Sequence, residues 1–146
     1  MLKKNSVYQL YTDGGARGNP GPSAIGAVLY HNNNIVFEIS KFISHSTNNQ
    51  AEYEALIAGL EETLHKNIDS VECFLDSNLL VNQVNGLWRV KEPHLGPLFL
   101  KVWKLKQKFQ FITFYHIPRE KNKHADKLVN QALDAVLNIE KLGKKN

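Results

Sequence analysis

Four acids carry the chemistry that this chain could perform. Asp13 closes the apolar run of "YQLYTD", Asp76 closes "VECFLD", Glu52 lies in "NNQAEYEALIAGL" and Asp126 in "NKHADKLVNQAL". If the two runs are neighbouring parallel strands, both aspartates leave the sheet at its carboxyl edge, where open α/β folds place their ligands. Glu52 and Asp126 begin helical patterns, and Leu56 after the first and Val129 and Leu133 after the second set both acids beside a buried stripe. Taken singly, each has an ordinary explanation: acids in a first helical turn favour the macrodipole, and Asp often ends a strand. Converging, they repel one another, and no Lys or Arg lies within two residues of Asp13, Glu52 or Asp76. Such a cluster needs an external cation, and carboxylates without a Cys/His pattern suit a hard ion, Mg²⁺ or Mn²⁺. Two such ions ~3.5–4 Å apart activate water and stabilise a leaving oxygen in phosphodiester chemistry.

The elements that must position these acids are legible as patterns. Residues 6–12, 24–30 and 34–43 read as strands, the last two joined by the polar turn "YHNNNI" as an antiparallel hairpin. Thr47, Asn48 and Asn49 offer N-cap side chains to a helix that runs through residue 66. "VECFL" is apolar on both faces, as a central strand covered by helices would be, and "SNLLVNQVNG" is a short helix stopped by Gly86. After the irregular "WRVKEPHLGP", a lysine-backed helix spans residues 95–109; "QFITFYHI" is a strand, and Asn122 caps a final helix. Three strands followed by helix, strand, helix, helix, strand and helix predict an α/β sandwich on a mixed sheet, with the first strand parallel to "VECFL".

At 146 residues the chain reads as one domain over residues 1–140, with "KLGKKN" (141–146) expected to be a basic, disordered tail. The single Cys73 excludes an internal disulfide, no apolar stretch approaches the ~20 residues of a membrane span, and a cytoplasmic location is expected. The net charge is +4, and residues 86–127 hold ten basic side chains against three acidic ones. Setting the four acids aside turns +4 into +8, so an acidic pit is expected on a surface suited to a polyanion.

"YTDGGARGNPGPSAIGAVL", "STNNQAEYEALIAGL", "FLDSNLLVNQVNG" and "HIPREKNKHADKLVNQAL" together resemble type 1 ribonuclease H, in order and over nearly the whole chain. The resemblance implies the ribonuclease H-like fold, a five-stranded mixed sheet of order 3-2-1-4-5 flanked by helices. It implies endonucleolytic hydrolysis of the RNA strand of an RNA/DNA hybrid, leaving 5′-phosphate and 3′-hydroxyl ends, with two Mg²⁺ ions for which Mn²⁺ substitutes. Asp13, Glu52, Asp76 and Asp126 each fall on one of the family's catalytic, metal-holding acids. Asn19, Thr47, Asn48 and Asn49 match positions that hold the hybrid, and Ser77 and Asn78 match a pair that reaches the minor groove. For Thr47 and Asn48 a capping role has equal weight. Gly14 and Gly15 are read as clearance for the substrate backbone.

The chain lacks the lysine-rich handle of well-known bacterial members and resembles the shorter, archaeal-type relatives. Trp88, Arg89, Lys91 and the face Lys101/Lys104/Lys108 are then the candidates for DNA-strand binding, by stacking and by phosphate contact, with a role as core cover for Trp88 as the alternative. The glycine-rich loop that carries a histidine in bacterial members is also missing. Arg119 matches an arginine of the archaeal-type form, and His116 and His124 are its rivals for the auxiliary role. Double-stranded RNA, which shares the A-like minor groove, is a further candidate substrate. No obligate protein partner is evident in the sequence.

Overall fold

The computed structural model describes residues 7–144. Three antiparallel strands, β1 (Tyr8–Ala16), β2 (Gly21–His31) and β3 (Asn34–Ser46), are followed by helix α1 (Asn48–His65). Strand β4 (Ser70–Leu75), helices α2 (Asn78–Val84) and α3 (Gly96–Lys106), strand β5 (Phe111–His116) and helix α4 (Lys123–Lys144) complete the chain. The sheet order is β3-β2-β1-β4-β5, as the resemblance implies; β4 is parallel to β1, as the sequence predicts, and also to β5.

The chain turns from β2 to β3 on Asn32 and Asn33, both at positive φ, which asparagine tolerates in tight hairpins. Helix α1 starts on a reciprocal cap: Thr47 Oγ1 accepts from Gln50 N, and the Gln50 amide oxygen accepts from Thr47 N. One side of the sheet carries the main core, where Leu10, Leu29, Leu56, Leu60, Cys73, Leu75, Leu80 and Val102 are buried together. On the other side α4 packs against β1, β2 and β3.

Four expectations need correction. Strand β1 does not stop at Asp13; it continues to Ala16, because Gly14, Gly15 and Ala16 go on pairing with Ile25, Ala24 and Ser23 of β2. Only the parallel ladder to β4 ends there, at Thr12↔Leu75. Strand β3 likewise runs three residues past its expected end, since Ser44 and His45 keep their partners on β2. Strand β4 is covered on one face only: Val71, Cys73 and Leu75 are buried, while Phe74 is half-buried, because α4 lies over β1–β3. Finally, residues 141–144 of the expected disordered tail continue α4; "LNIEKL" contains only residues compatible with a helix, and Gly143 stands within its last turn. Residues 145–146 lie outside the described residues, as do residues 1–6, where the first strand was expected to begin.

Two glycines let a helix close onto each face of the sheet. A Cβ on Gly14 would lie 2.1 Å from the Ala51 carbonyl oxygen of α1, and one on Gly26 would lie 2.3 Å from the Ala125 carbonyl oxygen of α4. Both contacts are with backbone, which cannot step aside as a side chain can. Gly26→Ala is therefore expected to displace the first turn of α4 and destabilise the protein by about 1–3 kcal/mol, the usual cost of overpacking. Gly96→Ala, with open space around it at the start of α3, is expected to be neutral or slightly stabilising. Thermal melts of the two variants beside wild type check this pair.

Candidate active site

The parallel ladder sets the first two acids side by side. Asp13 and Asp76 each follow directly on the last paired residues, Thr12 and Leu75, so both emerge at one edge of the sheet. Gly14 brings α1 close, and its N–H donates to Glu52 Oε1 at 3.2 Å, which draws the glutamate over the same edge. Gly26, the register partner of Asp13, admits the first turn of α4 and with it Asp126. Ligand oxygens of Asp13, Glu52 and Asp76 lie within 4.8 Å of one another. Asp126 joins them in lining a cleft of about 450 Å³, together with Arg119, Asn48, Arg17 and Asn130.

Asn122 braces this arrangement. Its Nδ2 donates at 2.9 Å both to the Thr12 carbonyl and to Asp76 Oδ2, tying the last residue of the β1–β4 ladder to the acid beside it. The sequence presents Asn122 only as a helix cap, and its backbone does hold that place, the Asp126 N–H donating to its carbonyl. The side chain is used for the site instead. Asn130, one turn after Asp126, donates to the Asp126 carbonyl at 3.2 Å, and its Oδ1 accepts from Arg17, which also pairs with Asp134 at 2.7 Å. Arg17, Asn122 and Asn130 escaped sequence reading because loop and helix-face residues carry no periodic signal. Gly26 did leave one: a glycine inside the apolar run "SAIGAVL" marks close backbone approach.

Crowding changes the acids. Burial pushes the Asp13 carboxyl up from its ordinary 3.8 to about 7; the charges of Asp76 and Asp126 act in the same direction, and contact with Glu52 opposes them. Burial, then the Asp13 charge, raises Glu52 as well. Glu52 Oε2 is buried and has no hydrogen-bond partner among the described residues. A buried carboxylate oxygen without a donor is costly unless something positive meets it. Three converging carboxylates, one with an unmatched oxygen, form an all-oxygen donor set that fits a divalent cation.

The remaining sequence-predicted residues separate into groups. Arg119 lies in the cleft with the acids. His116 lies outside the cleft lining, with its Nε2 3.3 Å from the Asp76 carbonyl oxygen. His124 is drawn away to Glu38 on β3. Asn48 lines the cleft and accepts from Ala16 N at 2.8 Å; Asn19 accepts from Asn48 N at 3.1 Å, so the two fasten the β1–β2 loop to the start of α1. Asn49 donates to Glu92 at 3.3 Å and so reaches the connection that carries Arg89 and Lys91, both exposed. Thr47 caps α1 and Ser77 caps α2 through Leu80 N, while Asn78 is exposed and accepts from Asn82. Trp88 is about half exposed, at 48%, on an open apolar groove with Phe99 and Leu100, and is not a core residue. Gly14 and Gly15 both line the cleft; a Cβ on Gly14 would strike the α1 backbone, and one on Gly15 would touch the Val129 side chain at 3.4 Å.

Comparison with known proteins follows the same architecture. Residues 11–132 match the family described as Reverse transcriptase-like. The chain is 40% identical over 125 residues to the bifunctional protein Rv2228c of Mycobacterium tuberculosis, covering 84% of this chain and 34% of that one. It thus spans about a third of that relative's length. The crystal structure of RNase H1 from the halophilic archaeon Halobacterium salinarum superposes with a TM-score of 0.86 at 40% identity, covering 89% of this chain and 99% of that one. LC11-RNase H1, isolated from compost by a metagenomic approach and crystallised in complex with RNA/DNA hybrid, superposes with a TM-score of 0.84 at 47% identity over 89% of this chain and 99% of that one.

The raised Asp13 pKa fixes the sign of two pH effects. Its protonated form is favoured in the folded chain, so without metal its contribution to stability is greatest at low pH and is lost as pH rises from about 4 through about 7. Asp13→Asn is expected to melt higher than wild type above pH 7 in EDTA, with the gap closing toward pH 4. Conversely, cation binding must displace that proton, so Mg²⁺ affinity measured by calorimetry is expected to increase as pH rises from about 4 through about 7.

Proposed function

The chain belongs to the type 1 ribonuclease H family, and from that premise we propose that it hydrolyses the RNA strand of RNA/DNA hybrids, leaving 5′-phosphate and 3′-hydroxyl ends. The observation that carries this reading is the convergence of Asp13, Glu52 and Asp76 within 4.8 Å, with Asp126 on the same cleft. Asp13, Glu52, Asp76 and Asp126 would hold two Mg²⁺ ions, with Mn²⁺ able to substitute. When bound, such ions supply charge for the scissile phosphate and a water of lowered pKa.

The protein's own groups do the rest. Asn122 keeps the Asp76 carboxylate turned toward the cleft, and Asn130 does the same for Asp126 through a longer contact of 3.4 Å. Arg119, which lines the cleft with the acids as Arg17 does, would pair with a phosphate oxygen, and His116, held against the Asp76 carbonyl, is its rival for assisting proton movement. The start of α1 and the β1–β2 loop are fastened through the amide oxygens of Asn19 and Asn48, and the side-chain N–H₂ groups of these two residues would meet the hybrid. Ser77, Asn78, Trp88, Arg89 and Lys91 continue on exposed or half-buried positions, where they would meet ribose hydroxyls and the DNA strand. Double-stranded RNA presents the same groove and would be cut more slowly for want of a DNA strand on the Trp88 side. No helix among the described residues is long and apolar enough to cross a membrane. A substrate of RNA/DNA hybrid is what supports a cytoplasmic location for the enzyme.

Incubation with end-labelled RNA/DNA hybrid, double-stranded RNA and double-stranded DNA in Mg²⁺ or Mn²⁺ tests the proposal. Wild type is expected to cut the hybrid's RNA strand and spare the DNA duplex. Asp13→Asn is expected to lose about a hundred-fold or more of that rate, the scale on which removal of a group that stabilises developing charge acts. Equal rates for the two proteins, or no cleavage of hybrid by wild type with either ion, would overturn it.

A further inference from the structure

Arg119 and Arg17 both line the cleft that holds the acids, and the proposed hydrolysis gives only the first a task. Arg17 follows the last paired residue of β1, and the backbone fixes it on both sides. The Ala16 N–H donates to Asn48 Oδ1 at 2.8 Å, and the Arg17 N–H donates to the Pro22 carbonyl at 2.9 Å. From there the guanidinium reaches across to α4, where Nη2 pairs with Asp134 Oδ1 at 2.7 Å and donates to Asn130 Oδ1 at 3.3 Å. Asp126, Asn130 and Asp134 follow at helical spacing along α4, so Arg17 is held beside a row that begins with one of the four acids.

A strut between loop and helix is the plain reading of these bonds, and two observations make it incomplete. The ion pair lies in the open, with 38% of the Arg17 side chain and 60% of the Asp134 side chain exposed, and such a pair adds little to stability and opens readily. Both contacts also use a single nitrogen. A guanidinium carries five N–H donors, and those on Nε and Nη1 have no protein partner among the described residues. The bonds to α4 therefore aim a cation that keeps donors to spare, in a cleft whose acids suit metal and phosphate. Arginine in that state is a phosphate ligand: it is always charged, and its planar array of N–H groups matches phosphate oxygens. Asp134, the more exposed partner, has its charge screened by solvent.

We infer that Arg17 is a substrate contact, its guanidinium pairing with a backbone phosphate of the RNA strand while Asp134 and Asn130 aim it. The inference rests on the proposed hydrolysis and extends it: the strand that enters the cleft to be cut passes Arg17 as well as the acids.

The test is binding of an uncleavable RNA/DNA hybrid to the full chain in Mg²⁺, followed by fluorescence anisotropy over a series of salt concentrations. Arg17→Gln is expected to weaken binding about ten-fold, the low end for a charge-assisted hydrogen bond, and to reduce the slope of log affinity against log salt by about one. Arg17→Lys, which keeps the charge, is expected to restore the slope. A strut would not move that slope. With cleavable hybrid, the loss in Arg17→Gln is expected to fall on KM more than on kcat. Uncharged methylphosphonate linkages throughout the DNA strand are expected to leave the affinity difference between wild type and Arg17→Gln in place, and its disappearance would assign the contact to the wrong strand and overturn the inference. Thermal melts confirm that the variants are folded. Wild type that cuts hybrid, beside Arg17→Gln of equal affinity and equal salt slope, would overturn this inference alone; wild type that neither binds nor cuts hybrid would overturn the proposed hydrolysis and this inference with it.

Discussion

Repulsion among carboxylates is the constraint around which this molecule is arranged. Left to relax, Asp13, Glu52, Asp76 and Asp126 would separate or take up protons, and burial already drives Asp13 to about 7. The backbone prevents the first outcome. Asp13 and Asp76 are neighbours because a parallel ladder ends one residue before each, and that ladder is anchored by Leu10, Cys73 and Leu75 in the main core. Glu52 and Asp126 arrive on helices that approach to backbone contact at Gly14 and Gly26. Thus the same hydrophobic packing that stabilises the sheet is what holds like charges together, and the site's unfavourable electrostatics are offset by burial elsewhere.

Much of this was legible in the sequence because strands and helices leave periodic traces. The sheet order rests on a resemblance carried by four segments, but the meeting of Asp13 and Asp76 needs only two apolar runs, each closed by an aspartate, and the rule that parallel neighbours share an edge. Where reading failed, local pattern had no access to the deciding contact. "DGGARGNPG" has the composition of a loop, yet its first residues stay in β1 because β2 supplies partners across the turn. Gly14 lines the cleft, and nothing in its own segment shows that it also lets the Ala51 backbone of α1 come close. Asn122 precedes a helix, and no feature of "REKNKHAD" says that its side chain turns instead to Thr12 and Asp76.

Charge distribution connects the cleft to the rest of the surface. The acids are concentrated at one sheet edge, while the connection after α2, the exposed face of α3 and the turn that follows it carry Arg89, Lys91, Lys101, Lys104 and Lys108. A polyanion is attracted broadly by the second group and repelled locally by the first unless cations intervene, so metal and nucleic acid each favour the other's arrival. Asn49, bonded to Glu92, links the start of α1 to the basic connection, which gives the two regions a common mount.

On this reading the four acids form a cation site that engages the substrate's phosphate. Anomalous diffraction from crystals grown with Mn²⁺ and an uncleavable RNA/DNA hybrid measures it directly. Two peaks about 4 Å apart, between these carboxylates and one phosphate of the RNA strand, are the predicted result. A hybrid seated elsewhere on the surface, with no anomalous peak in contact with Asp13 and Asp76, would contradict it.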